Sequence, residues 1–252
     1  MCGIVAAVAE RPIQSILIEG LKRLEYRGYD SAGLATLIEG NIELTRAKGK
    51  VSQLEAILHQ SLAAQGIAHT RWATHGVPSL LNAHPHQSER FVVVHNGIIE
   101  NYEQLKYELR QLNYVFVSDT DTETIAHLLH YLSQSLDTFD LIVKATLGRL
   151  KGAYAIAIMD AKTPGVIWVA RQGSPLVIGV GHGEHFVGSD QLALHHVTDR
   201  FIFLEEGDSA RLTSDSLEIF DNLWRASNRS LIQSTANFDA ISKGSYRHFM
   251  AK

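Results

Sequence analysis

The chain contains a single cysteine, Cys2, and its chemistry depends on what precedes it. Methionine is ordinarily removed when the next residue is small. Cys2 would then carry a thiol and a free α-amine on one residue. An α-amine titrates near pH ~7.7–8.0, so much of it is an available base at neutral pH. It can take the thiol proton directly or through one water, the N-terminal threonine arrangement with sulfur in place of oxygen. Gly3 gives the backbone freedom to bring the amine close. Position alone also fits a small buried cysteine opening a strand. A thiolate that attacks an amide carbonyl creates an oxyanion, which needs fixed donors. Asn96-Gly97, directly after an apolar run, offers a side-chain amide and a backbone N–H that can approach closely. The same dipeptide also reads as a turn. His84 and His86 form an H-x-H pair in a chain of 13 histidines. With no H-E-x-x-H and no cysteine pair, no metal is expected there.

The elements that must position these residues follow from periodicity. Ile4 to Ala9 reads as a buried strand, and Ile13, Ile16, Leu17, Leu21 and Leu24 recur at helical spacing. Ala32 to Ile38 and Ile42 to Ala47 flank a hairpin turn at Glu39-Gly40-Asn41. Val51, Leu54, Leu58 and Leu62 suggest a second amphipathic helix. Gly66 to Thr70 and Phe91 to His95 read as strands. The polar stretch between them, Arg71 to Arg90, is long enough to be a functional loop. Helices are expected over Tyr102 to Leu112, from Thr122 to Ser133 with Asp121 as N-cap, and from Phe139 to Leu150. A short strand is expected at Val115 to Ser118. Closely spaced strands follow at Ala153 to Asp160, Val166 to Ala170, Leu176 to Val180, His185 to Gly188 and Phe201 to Leu204. Two more fall near Ser209 to Leu212 and Leu217 to Ile219. The glycines from Gly179 to Gly188 match no dinucleotide fingerprint and read as a hairpin. After Asn222 the pattern fades. This order predicts an α+β domain of two packed antiparallel sheets with helices outside.

Composition narrows the function classes. The net charge is −4 and the pI near 6.3, without the basic excess of a nucleic-acid binder. One cysteine allows no intramolecular disulfide, so secretion is not indicated. Ala7-Val8-Ala9 mimics a signal-peptidase site, but no basic region precedes it, and the opening reads as a strand. No run approaches the ~18 apolar residues of a membrane helix. A cytoplasmic protein with no membrane or nucleic-acid partner is expected.

Six short motifs stand in one order: Cys2 to Val5 (CGIV), Arg23 to Gly33 (RLEYRGYDSAG), Thr70 to Gly76 (TRWATHG), Asn82 to His86 (NAHPH), His95 to Asn101 (HNGIIEN) and Thr120 to Glu123 (TDTE). Together they resemble the glutaminase domains of the glutamine–fructose-6-phosphate aminotransferases, a branch of the N-terminal-nucleophile glutamine amidotransferases. The resemblance covers nearly the whole chain. One departure is Ala6, where many relatives have glycine.

The resemblance implies a four-layer αββα sandwich, L-glutamine as substrate, no cofactor, and Cys2 as nucleophile with Asn96 and Gly97 as oxyanion donors. It gives Arg71 and Asp121 to the substrate's α-carboxylate and α-ammonium, with Thr74 and His75 as further contacts. Residue types agree: Arg71 can pair with a carboxylate bidentately and Asp121 can accept from an ammonium. Taken singly they read as a surface arginine and a helix cap. Arg27, Gly28, Trp72 and His84 are expected to support the site: Arg27-Gly28 beside Cys2, and Trp72 on a lid from Arg71 to about Ser79. Tyr246 to Met250 (YRHFM) resembles the family's interdomain linker. Residues 1–240 are therefore expected to form the glutaminase domain and 241–252 the start of a linker. The chain then reads as an excised or truncated half without its sugar-isomerase domains. Two alternatives stay open: the glutaminase half of another amidotransferase, and a non-catalytic regulatory domain of the same fold.

Overall fold

The fold is given by a computed structural model, which describes residues 2–72 and 77–234. The first strand, β1 (Gly3–Ala9), is buried at every position, which explains its unbroken apolar run. It lies inside an eight-stranded antiparallel sheet. The other members of that sheet are β2 (Ser31–Ile38), β3 (Asn41–Lys48), β4 (Gln65–Arg71), β9 (Val177–Val180), β10 (Glu184–Gly188), β11 (Arg200–Phe203) and β14 (Leu231–Gln233). A six-stranded sheet holds β5 (His86–Ser88), β6 (Phe91–Ile99), β7 (Gly152–Asp160), β8 (Ile167–Gln172), β12 (Ser209–Leu212) and β13 (Leu217–Phe220).

Three apolar clusters define four layers. Between the sheets, Ile4, Ala6, Val8 and Ile67 meet Val92, Val94, Ala155, Ala157 and Val169. On the outer face of the larger sheet, Val5, Ala7 and Ala68 meet α1 (Gln14–Leu24) and α2 (Val51–Ile57) through Leu17, Leu21 and Leu54. On the outer face of the smaller sheet, Val93, Ile156 and Trp168 meet α3 (Tyr102–Gln111), α4 (Thr122–Leu132) and α5 (Phe139–Leu147). The architecture is the expected αββα sandwich. Among the described residues no helix is long and apolar enough to cross a membrane.

Several elements differ from their expected extents. The helix opened by Val51 stops at Ile57, because the chain turns extended at Leu58, and Leu62 is 75% exposed. The helix from Phe139 ends at Leu147 rather than Leu150. Strands β5 and β14, three residues each, carry too little pattern to be read from sequence. The predicted strand at Val115 to Ser118 does not form. There the Val117 and Ser118 N–H groups donate to the Glu123 carboxylate at 2.9 and 2.8 Å, in place of a ladder partner.

That carboxylate makes a testable contribution to stability. Burial opposes its charge, but the His127 ring 3.6 Å away and bonds from the Val117 and Ser118 N–H groups and the Ser118 hydroxyl outweigh it and hold the carboxyl at about 2. The folded value lies below the unfolded one. The stabilisation is therefore complete above about pH 4.3 and is lost as pH falls towards 2. Glu123→Gln is expected to lower stability by about 2–3 kcal/mol at pH 7. Urea unfolding at pH 7 and pH 3 checks this: the gap between variant and parent should narrow at the lower pH.

Candidate active site

Side chains alternate across a strand, and this alternation decides which residues meet. Ile4, Ala6 and Val8 of β1 face the inter-sheet core, and Cys2 lies one period ahead of Ile4. Val92 and Val94 of β6 face the same core, and Asn96 follows them. On β4, Ile67 is followed in the same way by His69 and Arg71. At one end of the inter-sheet core the apolar residues thus give way to polar ones from both sheets. The Asn96 amide nitrogen donates to the Cys2 carbonyl at 3.3 Å, which places the two predicted reacting residues side by side. Asn96 and Gly97 lie within β6, opposite Ala155 and Tyr154 of β7, and form no turn. Gly97 has φ 127°, and a Cβ there would stand 2.0 Å from the Ala153 carbonyl oxygen, so this backbone admits only glycine.

The Cys2 sulfur accepts from the Trp72 N–H at 3.3 Å, and the thiol reaches the Trp72 carbonyl at 3.5 Å. Burial pushes the thiol above its ordinary value, against the pull of the Trp72 N–H and Arg71. Such a thiol is protonated at neutral pH and needs a base before it can attack. Asp121 stands ahead of α4 but does not cap it. Its carboxylate turns instead to β6, where Oδ2 accepts from the Ile99 N–H at 2.8 Å. Arg71 is buried at the end of β4, with Nη1 3.8 Å from Asp30 Oδ1.

Three buried histidines back the cleft that Cys2, Arg71, Gly97 and Asp121 line. The Thr122 hydroxyl lies 2.6 Å from His84 Nε2 and 3.0 Å from His95 Nδ1, and the His69 and His84 rings are 4.2 Å apart. Burial lowers all three below the ordinary imidazole value, His69 to about 3. They are therefore neutral at pH 7, and Arg71 and Asp121 are the charged groups of the cleft lining. No group of three or more His, Cys, Asp or Glu residues is placed to hold a metal ion among the described residues. A cleft with one cation, one anion, a thiol and an adjacent amide donor suits a small zwitterion carrying an acyl group.

A family model described as "Glutamine amidotransferase domain" matches residues 72–196. A protein from Pseudomonas putida named glutamine–fructose-6-phosphate aminotransferase [isomerizing] is 57% identical over 256 residues, covering 100% of this chain and 42% of its own length. The Escherichia coli K12 protein of the same name is 54% identical over 255 residues, with the same shares. The chain belongs to the glutamine amidotransferases. Among solved structures, the glutamine phosphoribosylpyrophosphate amidotransferase of B. subtilis superposes with a TM-score of 0.76 at 25% identity, over 87% of this chain and 49% of that one. A structure titled as the allosteric regulatory enzyme of purine biosynthesis gives 0.77 at 26% identity, with the same shares. The chain spans 42% of the length of its curated relatives.

In this glutamine amidotransferase domain, the expected supporting residues connect to the site by different routes. Gly28 has φ 90°, and a Cβ there would meet the Trp72 ring at 2.4 Å, so Gly28 is the seat on which the indole lies. Arg27 pairs with Asp190 at 2.7 Å and reaches Ser189 Oγ at 3.4 Å, and that hydroxyl in turn accepts from the Ile4 N–H at 3.1 Å. Through Ser189 it braces β1 two residues beyond Cys2. His84 lies behind the cleft on Thr122. Thr74, His75 and the middle of the expected lid lie outside the described residues, as do Tyr246 to Met250 and the boundary at 240. Sequence reading missed His69, His95 and Thr122 as neighbours of the site. His69 shares a strand face with Arg71, and that alternation is the signal that could have found it.

Proposed function

We propose that this domain hydrolyses L-glutamine to L-glutamate and ammonia. The observation that carries the reading is the Asn96 amide set against Cys2 in a cleft whose charged lining residues are Arg71 and Asp121. With Met1 removed, the Cys2 α-amine takes the thiol proton, and the sulfur attacks the glutamine side-chain carbonyl. The Asn96 amide and the Gly97 N–H hold the oxyanion. Collapse of the tetrahedral intermediate expels ammonia, with the proton returned by the amine, and leaves a γ-glutamyl thioester. Water then attacks the thioester and regenerates the thiol. Arg71 and Asp121 hold the substrate's carboxylate and ammonium, and a site with fixed polar partners for the side-chain amide rejects glutamate as a substrate.

The ammonia serves a second centre in this reading. In a full-length protein with sugar-isomerase domains, it aminates fructose 6-phosphate, and a cytoplasmic location accords with that. In this reading residues 1–240 form the glutaminase unit and 241–252 the start of an interdomain linker. The chain alone is expected to release glutamate and ammonia in equal amounts and to make no amino sugar from fructose 6-phosphate. Amination of the sugar by this chain would refute the division of labour. The clamp has its own check. Asp121→Asn keeps an acceptor for the Ile99 N–H but removes the charge, so the KM for glutamine is expected to rise about tenfold or more with folding intact. An unchanged KM would remove Asp121 from substrate recognition.

A further inference from the structure

An amide donor stabilises an oxyanion only if its nitrogen faces the reacting atoms. An asparagine side chain has two nearly isosteric ends, and a half-turn about its last bond would present an oxygen instead. That would place a partial negative charge against a developing one. Some feature of the site must distinguish the two orientations, and the cysteine carbonyl, a single partner 3.3 Å from the nitrogen, is a weak one.

The other end of the amide meets a stronger constraint. His69 is fully buried on β4, in the sheet opposite Asn96. Its Nε2 stands 3.0 Å from the His95 carbonyl oxygen and 2.9 Å from the Asn96 side-chain oxygen. A backbone carbonyl only accepts, so Nε2 carries the ring proton. The Asn96 atom facing that N–H must then be an acceptor, which is the oxygen, and the nitrogen is turned towards Cys2. Burial keeps the ring neutral, so Nδ1 is bare, and that atom has no hydrogen-bond partner among the described residues.

We propose that His69 is a positioning residue, whose shared Nε2–H to the His95 carbonyl and the Asn96 side-chain oxygen fixes the oxyanion-binding amide with its nitrogen towards Cys2. The inference rests on the proposed role of Asn96. It distinguishes His69 from a residue that merely ties the two sheets together, because a tie would act on stability and substrate affinity alike. An orienting group acts on the transition state alone.

The experiment compares His69→Leu, His69→Gln, Asn96→Ala and the double variant. It measures kcat, glutamate inhibition, and inhibition by the aldehyde analogue of glutamine, which a thiol converts to a tetrahedral adduct. His69→Leu is expected to lower kcat by roughly ten- to a hundredfold and to weaken the aldehyde by a similar factor, leaving glutamate inhibition within about twofold. His69→Gln retains a side-chain N–H and should recover most of the loss. His69→Leu should cost little once Asn96 is alanine. Equal losses for glutamate and aldehyde, or additive losses in the double variant, would overturn the inference. If His69→Leu does not fold, the ring-nitrogen NMR shifts of the parent protein decide: an Nδ1–H tautomer overturns the inference and an Nε2–H tautomer upholds it. Asn96→Ala with full activity would instead refute the oxyanion role, a failure distinguishable from loss of the His69 effect alone.

Discussion

Cys2→Ala is expected to abolish glutamate release, with a loss of at least about 10⁴-fold and no change in fold. The size follows from the role, since no other thiol exists in the chain to form a thioester. The fold should tolerate the change, because Cys2 lies ahead of β1 and contributes to none of the three apolar clusters. The prediction has a second part that the environment of the sulfur supplies. Burial raises the thiol and makes the buried histidines of the cleft weak bases, each with a ring nitrogen set against Thr122, Asn96 or a backbone carbonyl. The base must come from elsewhere, and the α-amine of Cys2 itself is the group chemistry makes available. Protein that keeps Met1 should therefore be as inactive as Cys2→Ala, although its thiol is intact. The rate on glutamine should rise as pH passes upward through the amine's range, near ~7.7–8.0 before local effects, because only the neutral amine accepts a proton. Intact mass sorted against activity, with glutamate release followed from pH 6 to 9, tests both parts. Full activity in a fraction that retains Met1 would exclude the α-amine as base.

The layers were legible in the chain because each strand's pattern reports its surroundings. β1 reads as a continuous apolar run because helices cover one face and the second sheet the other. The site was legible in part for the same reason. Asn96 and Gly97 could be paired with Cys2 through the resemblance, but residue types alone favoured a turn, because Asn-Gly in isolation is turn chemistry. In the fold, β6 runs through them to Ile99 and β7 pairs with them throughout. Asp121 was doubly ambiguous. Its position is that of an N-cap, and only the bond to the Ile99 N–H shows that its carboxylate faces the cleft side of β6 instead. Glu123 misled in the opposite direction. A β-prone run at Val115 to Ser118 has its N–H groups taken by a carboxylate several residues onward, a competition that local propensity does not register. His69 was invisible for a different reason. A histidine within a strand has many structural uses, and its partners come from a sheet far along the chain.

Asn96→Ala should separate binding from chemistry more clearly than any change at the clamp. The amide nitrogen sits beside Cys2 and is held from behind by His69, so it needs no reorganisation when charge develops on the substrate oxygen. Removing one such donor costs roughly 10²–10³-fold in kcat, about 3–4 kcal/mol of transition-state stabilisation. The KM for glutamine should change little if, as proposed, Arg71 and Asp121 hold the substrate's charged groups. Asn96→Asp should be at least as slow as the alanine variant despite its closer shape, because it would place a carboxylate where negative charge must form. The neighbouring donor cannot be tested the same way. Gly97→Ala would drive a methyl group into the Ala153 carbonyl and part β6 from β7, so its loss of activity would report on the strand pair. The pair Asn96→Ala and Asn96→Asp therefore carries the test, read as kcat and KM separately. If the aspartate variant retained activity, or if either variant raised KM with kcat preserved, the amide would be a substrate contact, and the oxyanion would have to be held by backbone alone.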